Sequence, residues 1–518
     1  MIILILIPVF TALIVFLLKK DYVIKYSILS IPIEVYIIYR LFLKVNASGA
    51  QESIVGGWPK YFGISLYMDH LSFVFLAISI IAWVGSSLYS LMKRSDDYKF
   101  YFFLHFLRGT FYGLIFSNDL YNIFVFVEIT SVISAMLIIY KKDGFSIRAG
   151  IYYLMFNSVA MLFYLMGLII IYMRLGTLNL SYISALPLDA TTKAAFGMIV
   201  TALGVKSAFF PVYTWTWLPR AHMAAPSGMS ALLSGVLVKA GFIVLVKFFR
   251  FIPQGLFFKY LLIMGILKAI SGIMFALSQK DIKGVLAFHT ISQSGIILMG
   301  IGGVGSLNIG GILHLVNHSL FKGLLFLTAG IVIKEYNARE LKNIRGLLKN
   351  YPGLAFFMII GILSITGFPY TNGYVSKHLI KYGLKGNLIL EMSMHLISLG
   401  TVISFIKLSQ ILFGKQKAKI DTMHKESKLP LLLVGSVTLV SGIGEMYVLK
   451  KYFDIVIKVH LSDFVTYGIY VSIGYLIYKF VITKDIKALQ FLRHYQLGFR
   501  KANIVLVLFL MLTMAFIY

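Results

Sequence analysis

The stretch GVKSAFFPVYTWTWLP, residues 204–219, is apolar enough to lie in a bilayer, yet it holds Lys206 and, a little further on, Pro211. An ammonium is costly in lipid, and proline removes a backbone donor where no water replaces it. A membrane helix that accepts both is interrupted, and the break admits water that makes the lysine tolerable. The same pattern recurs in GFPYTNGYVSK, residues 367–377, where a Gly/Pro break precedes Lys377. Counted as membrane spans these are the seventh and the twelfth, five apart. Five crossings reverse orientation, so spans four to eight and nine to thirteen are expected to form two units related by inversion. Paired interrupted segments in corresponding halves point to a transport site.

The rest of the chain fits this reading. Of 518 residues 59% are hydrophobic and only 13% charged, with a mean hydropathy of +0.86. Soluble domains are about 45–50% apolar and about 25% charged. The expected fold is therefore an all-α polytopic membrane protein, with about 14–16 transmembrane helices. Apolar runs lie near 1–18, 23–43, 70–92, 99–116, 119–140, 148–173, 194–218, 227–249, 256–278, 284–302, 307–333, 353–383, 388–413, 429–449, 465–483 and 503–518. They group as 1–98 (first helices and a surface hairpin), 99–249 and 256–413 (the two five-helix repeats) and 429–518. The hairpin is read from NASGAQESIVGGWPKYFGISLYMD, which is Gly-rich with two short β-like runs. In the last group, TKDIKALQFLRHYQLGFRKAN is basic and amphipathic, suited to the inner membrane surface, to a docking partner or to an ordinary basic loop. The first run has no basic leader and no small-residue cleavage site, so it reads as a retained helix.

The net charge of +28 reflects loop bias, not nucleic-acid binding. With the amino terminus outside, the inner loops hold 26 Lys and Arg against 10 in the outer ones. Positive residues favour the cytoplasmic side, so both termini are expected outside a cytoplasmic membrane. The chain has no cysteine, which excludes disulfides, thiolate metal sites and iron–sulfur ligation by this chain. No cofactor and no metal site is expected.

Ionisable residues deep within spans are the candidate site. They are Glu128, Lys206, Lys239, His289, Lys377 and the stripe His314, His318 and Lys322, whose spacing of four sets them on one helical face. Lys247 and Lys407 lie nearer helix ends and are expected to snorkel. His289 reads equally well as a packing residue. Lys268 is also mid-span and receives no role from the sequence.

At these residues the chain resembles the antiporter-like family: large membrane subunits of respiratory complex I, the A and D subunits of Mrp-type sodium/proton antiporters, and their counterparts in membrane-bound hydrogenases. The resemblance covers residues 56–413. It rests on GGWPKYFGISLYMDHLS, FVFVEITS, GVKSAFFP, WLPRAHMAAPSGMSALLSGVLVKAG, KDIKGVLAFHTISQSG, HLVNHSLFKGLLFL and GFPYTNGYVSK, in family order. It implies a core of about fourteen helices and a mid-membrane line of protonatable residues. By matching motif, these are Glu128, Lys206, Lys239, His314, His318 and Lys377. Lysine at 377, with LAFHTISQSG, tilts the resemblance toward the D subunits of Mrp-type modules. Three departures stand out. Ala224 replaces the glutamate of a common His-x-Glu-Ala-Pro loop, Tyr213 stands near the place of a frequent histidine, and YTWTWLP is two residues longer, which weakens any role for His222.

The expected function is proton translocation within a multisubunit energy-converting complex, the energy coming from partner membrane subunits and possible peripheral redox modules. The alternatives are sodium/proton exchange in a stand-alone antiporter and a structural subunit with an inactive channel. Burial disfavours a charged ammonium and a neighbouring carboxylate restores it. Approach and separation of Glu128 would therefore set whether Lys206 keeps its proton or passes it toward Lys239, His289, the histidine face and Lys377.

Overall fold

A computed structural model describes residues 1–18, 23–91, 97–211, 217–253, 255–415, 428–495 and 498–517. The sixteen apolar runs all appear as helical segments, and eleven helices among the described residues are long and apolar enough to cross a membrane. The other five runs are Ile2–Leu18, Val23–Ser48, Tyr98–Phe116 and the two interrupted spans. In the seventh span a helix Ala190–Lys206 stops and a short helix Leu218–Ala224 follows. In the twelfth, Pro352–Thr366 ends at left-handed Gly367 and Asn372–Gly383 resumes. Tyr213, most of the YTWTWLP run, and parts of the basic loops at 19–22, 92–96 and 416–427 lie outside the described residues. The hairpin is present, with β1 (Gln51–Ile54) antiparallel to β2 (Ser65–Met68) and Gln51 opposite Met68.

Aspartates start many of the helices. Asp97, Asp119, Asp143, Asp189 and Asp281 each accept a backbone N–H of the following turn, which satisfies donors a helix start leaves open. Two of these caps reveal the repeat. Asp119 opens the fifth span (Leu120–Ile139) and bridges to Asn179, between spans six and seven. Asp281 opens the tenth (Ile282–Ile301) and bridges to Glu340, between spans eleven and twelve.

Lys247 and Lys407 repeat in the same way, and they correct the snorkelling expectation. Both are buried, at 7% and 8% exposure. Lys247, in the eighth span (Ser227–Phe248), donates to the carbonyls of Ile115 and Ser117, the latter at 2.8 Å, where the fourth span ends. Lys407, in the thirteenth (Leu388–Ser409), donates to those of Leu277 and Gln279, the former at 2.6 Å, where the ninth (Phe258–Ser278) ends. A helix terminus leaves its last carbonyls open and partly negative, so an ammonium fits there better than at a lipid interface. Cap, bridge and lysine thus recur five spans later, on the opposite membrane face.

The eighth and tenth spans are buried along their whole length, while the fifteenth (Leu461–Ile482) is almost wholly uncovered. The basic amphipathic segment forms a helix, Lys487–His494, that docks on this chain. Arg493 donates to the Ser278 carbonyl at 2.6 Å, and Arg493 and Lys280 share the Asp485 carboxylate. These two cations hold Asp485 well below the usual carboxylate range.

Candidate functional site

The site residues follow the two broken spans inward. Lys206 is the last residue of its half-helix and is 3% exposed. Its ammonium donates to Ser131 Oγ at 2.5 Å and to the Tyr153 hydroxyl at 3.4 Å, and lies 5.4 Å from the centre of the Tyr153 ring. Ser131 stands one turn beyond Glu128 on the fifth span. Glu128 makes no ion pair with Lys206; its Oε2 accepts from Ser158 at 3.1 Å and its buried Oε1 has no hydrogen-bond partner. Ser131 Oγ, not the Glu128 carboxylate, is the group that receives the Lys206 ammonium.

The break beside Lys206 is filled by another lysine. Lys268, from the ninth span, donates to the Ser207 carbonyl at 2.6 Å and lies 5.4 and 5.1 Å from the ring centres of Phe209 and Phe242. The twelfth span shows the same solution, since Lys377 donates to the Ile365 carbonyl at 2.6 Å, just before the Gly367 break. Interrupting a helix strips carbonyls of their amide partners, and at each break one of them receives an ammonium. At the twelfth-span break this carbonyl answers the Lys377 ammonium, whereas Lys206 at the seventh is held by Ser131 and Tyr153. Lys268 is thus part of the site. Its mid-membrane position was visible in the sequence, but its partner belongs to another span.

Lys239 follows a wide turn in the eighth span at Leu233–Leu237, where Val238 N–H reaches back to Leu233 O. Such π-turns are frequent at functional sites. The Lys239 ammonium donates to the Ser234 carbonyl and approaches His318 Nδ1 at 2.5 Å. In a contact of that length one nitrogen donates and the other accepts, the roles depending on the imidazole tautomer. Ser234 Oγ also bonds Thr290 Oγ1 at 2.7 Å, which ties the turn to the tenth span.

The histidine stripe on the eleventh span (Gly305–Tyr336) engages three different neighbours. His318 meets Lys239 of the eighth, His314 Nδ1 meets Ser376 Oγ of the twelfth at 2.8 Å, and Lys322 donates to the Leu286 carbonyl of the tenth at 2.6 Å. The Nε2 atoms of both histidines are buried without a hydrogen-bond partner. His289 is buried with neither ring nitrogen paired, its ring 4.8 Å from that of Phe405. It stands beside the line and is not hydrogen-bonded into it. His222 is likewise buried and unpaired at both nitrogens, edge-on to Phe326. Around Ala224, the Met223 and Ala225 carbonyls accept from Arg339 and Lys283, at 3.2 and 3.0 Å.

Two broken helices with lysines at their gaps, joined by a lysine–histidine pair in the core, define a multi-pass membrane protein built around a buried line of titratable groups. Residues 117–406 match the family model described as NADH:quinone oxidoreductase/Mrp antiporter, TM, and the chain belongs to that family. The D subunit of the Na(+)/H(+) antiporter of Alkalihalophilus pseudofirmus is 30% identical over 78% of this chain and 85% of its own. Among solved structures, a chain of the Mrp complex from Dietzia sp. DQ12-45-1b superimposes with a TM-score of 0.80 at 20% identity, covering 92% of this chain and 98% of that one. A chain of the membrane-bound sulfane sulfur reductase, an archaeal respiratory membrane complex, gives 0.78 at 24% identity, covering 94% and 99%.

Proposed function

We propose that this chain translocates protons as an antiporter-like subunit of a multisubunit energy-converting membrane complex. The observation that carries the reading is the Lys239–His318 contact of 2.5 Å, which joins the line of the first repeat, 99–249, to that of the second, 256–413. Protons pass from Glu128 and Lys206, past Lys268, to Lys239 and His318, then by His314 and water to Lys377, with His289 and Lys322 flanking and His222 a weaker participant. Partner membrane subunits supply the energy, by a redox module or by an ion gradient. Sodium/proton exchange is the second reading, favoured by the name of the Alkalihalophilus relative.

In this route the Glu128 carboxylate holds the proton on Lys206 only when the two approach. Glu128→Gln removes that control and keeps the side-chain shape. Vesicles containing the whole complex should show proton uptake reduced at least about threefold, on the order of 0.7 kcal/mol in barrier, with subunit content unchanged. Full uptake by Glu128→Gln would take Glu128 out of the path.

Both termini face outside a cytoplasmic membrane in this proposal, and the loop after the eleventh span faces inside. Lys342 tests the orientation better than neighbouring Asn337, whose backbone φ of 45° suits asparagine and strains cysteine. In this cysteine-free chain Lys342→Cys should react with an impermeant maleimide only after the inner face is opened. Labelling of intact right-side-out cells would reverse the topology.

A further inference from the structure

Three carboxylates lie well inside membrane spans: Glu34, Glu128 and Glu445. Glu34 is paired with Arg108 at 2.8 Å, and Glu128 belongs to the route above. Glu445 has a different setting. It sits eight residues before the end of the fourteenth span (Lys428–Phe453), about 12 Å along the helix from its terminus. No cationic side chain pairs with it among the described residues. Its Oε2 accepts one hydrogen bond, from Asn317 Nδ2 at 2.9 Å.

Glu445 also lines a cavity of about 780 Å³. The cavity is walled by the start of the third span, the connection from the eighth to the ninth, the turn between the tenth and eleventh, and the end of the fourteenth. All these places belong to one membrane face, the outer one in the proposed topology. The Asp69–Arg250 ion pair of 2.6 Å, with His70 and Asn308, makes the cavity polar toward that face.

On the inner side Glu445 is tied to the line of titratable groups. Asn317 stands between His314 and His318, and its Nδ2 also donates to the Asn372 carbonyl at 2.8 Å. That carbonyl accepts from Ser376 Oγ at 3.2 Å, and Ser376 Oγ bonds His314 Nδ1 at 2.8 Å. The packing is close, since a Cβ on Gly442 would come within 2.1 Å of the Tyr370 carbonyl, so the fourteenth span is seated directly on the twelfth-span break. An amide nitrogen does not relay protons, so this chain of bonds fixes position and leaves transfer to water. Asn317 Oδ1, on the same planar amide that grips Glu445, and Asn372 Oδ1 are both fully buried and without hydrogen-bond partners.

A carboxylate this far inside a span, answered by one neutral amide, is expensive as a bare anion. We propose that Glu445 is a cation-loading site: it takes a monovalent cation, a proton or a sodium ion, from the cavity and exchanges it with the second half of the route. The proposal rests on the translocation reading above.

The test uses the intact complex in membranes. Dicyclohexylcarbodiimide adds to protonated carboxyl groups in apolar surroundings, and the adduct is quantified on the peptide containing Glu445 by mass spectrometry. Labelling that falls as pH rises, whatever the salt, identifies the cation as a proton. Labelling suppressed at fixed pH by NaCl but not by KCl identifies sodium. Absence of adduct at every pH, with the peptide recovered, overturns the site. In transport, Glu445→Gln should lower uptake at least about fivefold with normal subunit content, and Glu445→Asp should recover part of it. If Glu445→Gln transports fully while Lys377→Met does not, the Glu445 proposal falls and the route stands. If both transport fully, the route itself falls.

Discussion

Lys377→Met is expected to leave the complex assembled and to lower proton uptake by at least about tenfold, a change in barrier of roughly 1.4 kcal/mol. Lys377 is 5% exposed, and its ammonium donates to the Ile365 carbonyl at 2.6 Å. A Cβ on Gly367 would lie 3.4 Å from Lys377 Cδ, so the lysine stem runs close along the backbone of the break. Methionine keeps most of that stem and removes the titratable end. The Ile365 carbonyl then loses its ammonium, a cost of about 1–3 kcal/mol, while removal of a buried charge offsets part of it. Stability therefore changes little, and translocation carries the loss. Lys377→Glu should retain some uptake, because a protonated carboxyl can still donate to Ile365 and titrate. Normal uptake by Lys377→Met, with full subunit content, would mean that no proton passes this point and would favour a structural role for the chain.

The sequence made the helices legible because apolar length is a one-dimensional property. Each of the sixteen runs became a helical segment, and the two breaks fell where Gly and Pro forbid a continuous ladder of hydrogen bonds. Partners were less legible, since they come from other spans. Lys268 drew attention as a buried charge, but nothing near it in sequence announces the Ser207 carbonyl. Lys247 and Lys407 looked like interfacial lysines because they lie near helix ends. The ends that hold them are those of spans four and nine. Glu128 and Lys206 suggest a pair from charge alone, whereas Ser131, one turn along the same helix, takes the ammonium. Glu445 carries the default signal of an intramembrane carboxylate, but its partner Asn317 and the cavity it lines come from other spans.

Lys239→Met is expected to have an effect at least as large as that of Lys377→Met, because Lys239 and His318 form the hydrogen-bonded contact that joins the two halves of the line. The wide turn at Leu233–Leu237 brings the Ser234 carbonyl under the ammonium, while Ser234 Oγ is fixed by Thr290. Methionine fills the space, leaves His318 Nδ1 and Ser234 O without their shared donor, and breaks the contact between Lys239 and His318 across the repeats. Uptake should fall by at least about tenfold with the complex assembled. A purely structural lysine could give the same loss, so the double variant decides. If Lys239 and His318 hand on one proton as a unit, Lys239→Met with His318→Gln should transport no worse than Lys239→Met alone, because the step is already lost. If the two losses multiply, each residue acts separately, and the contact of 2.5 Å is packing between neighbours, not a step in the route.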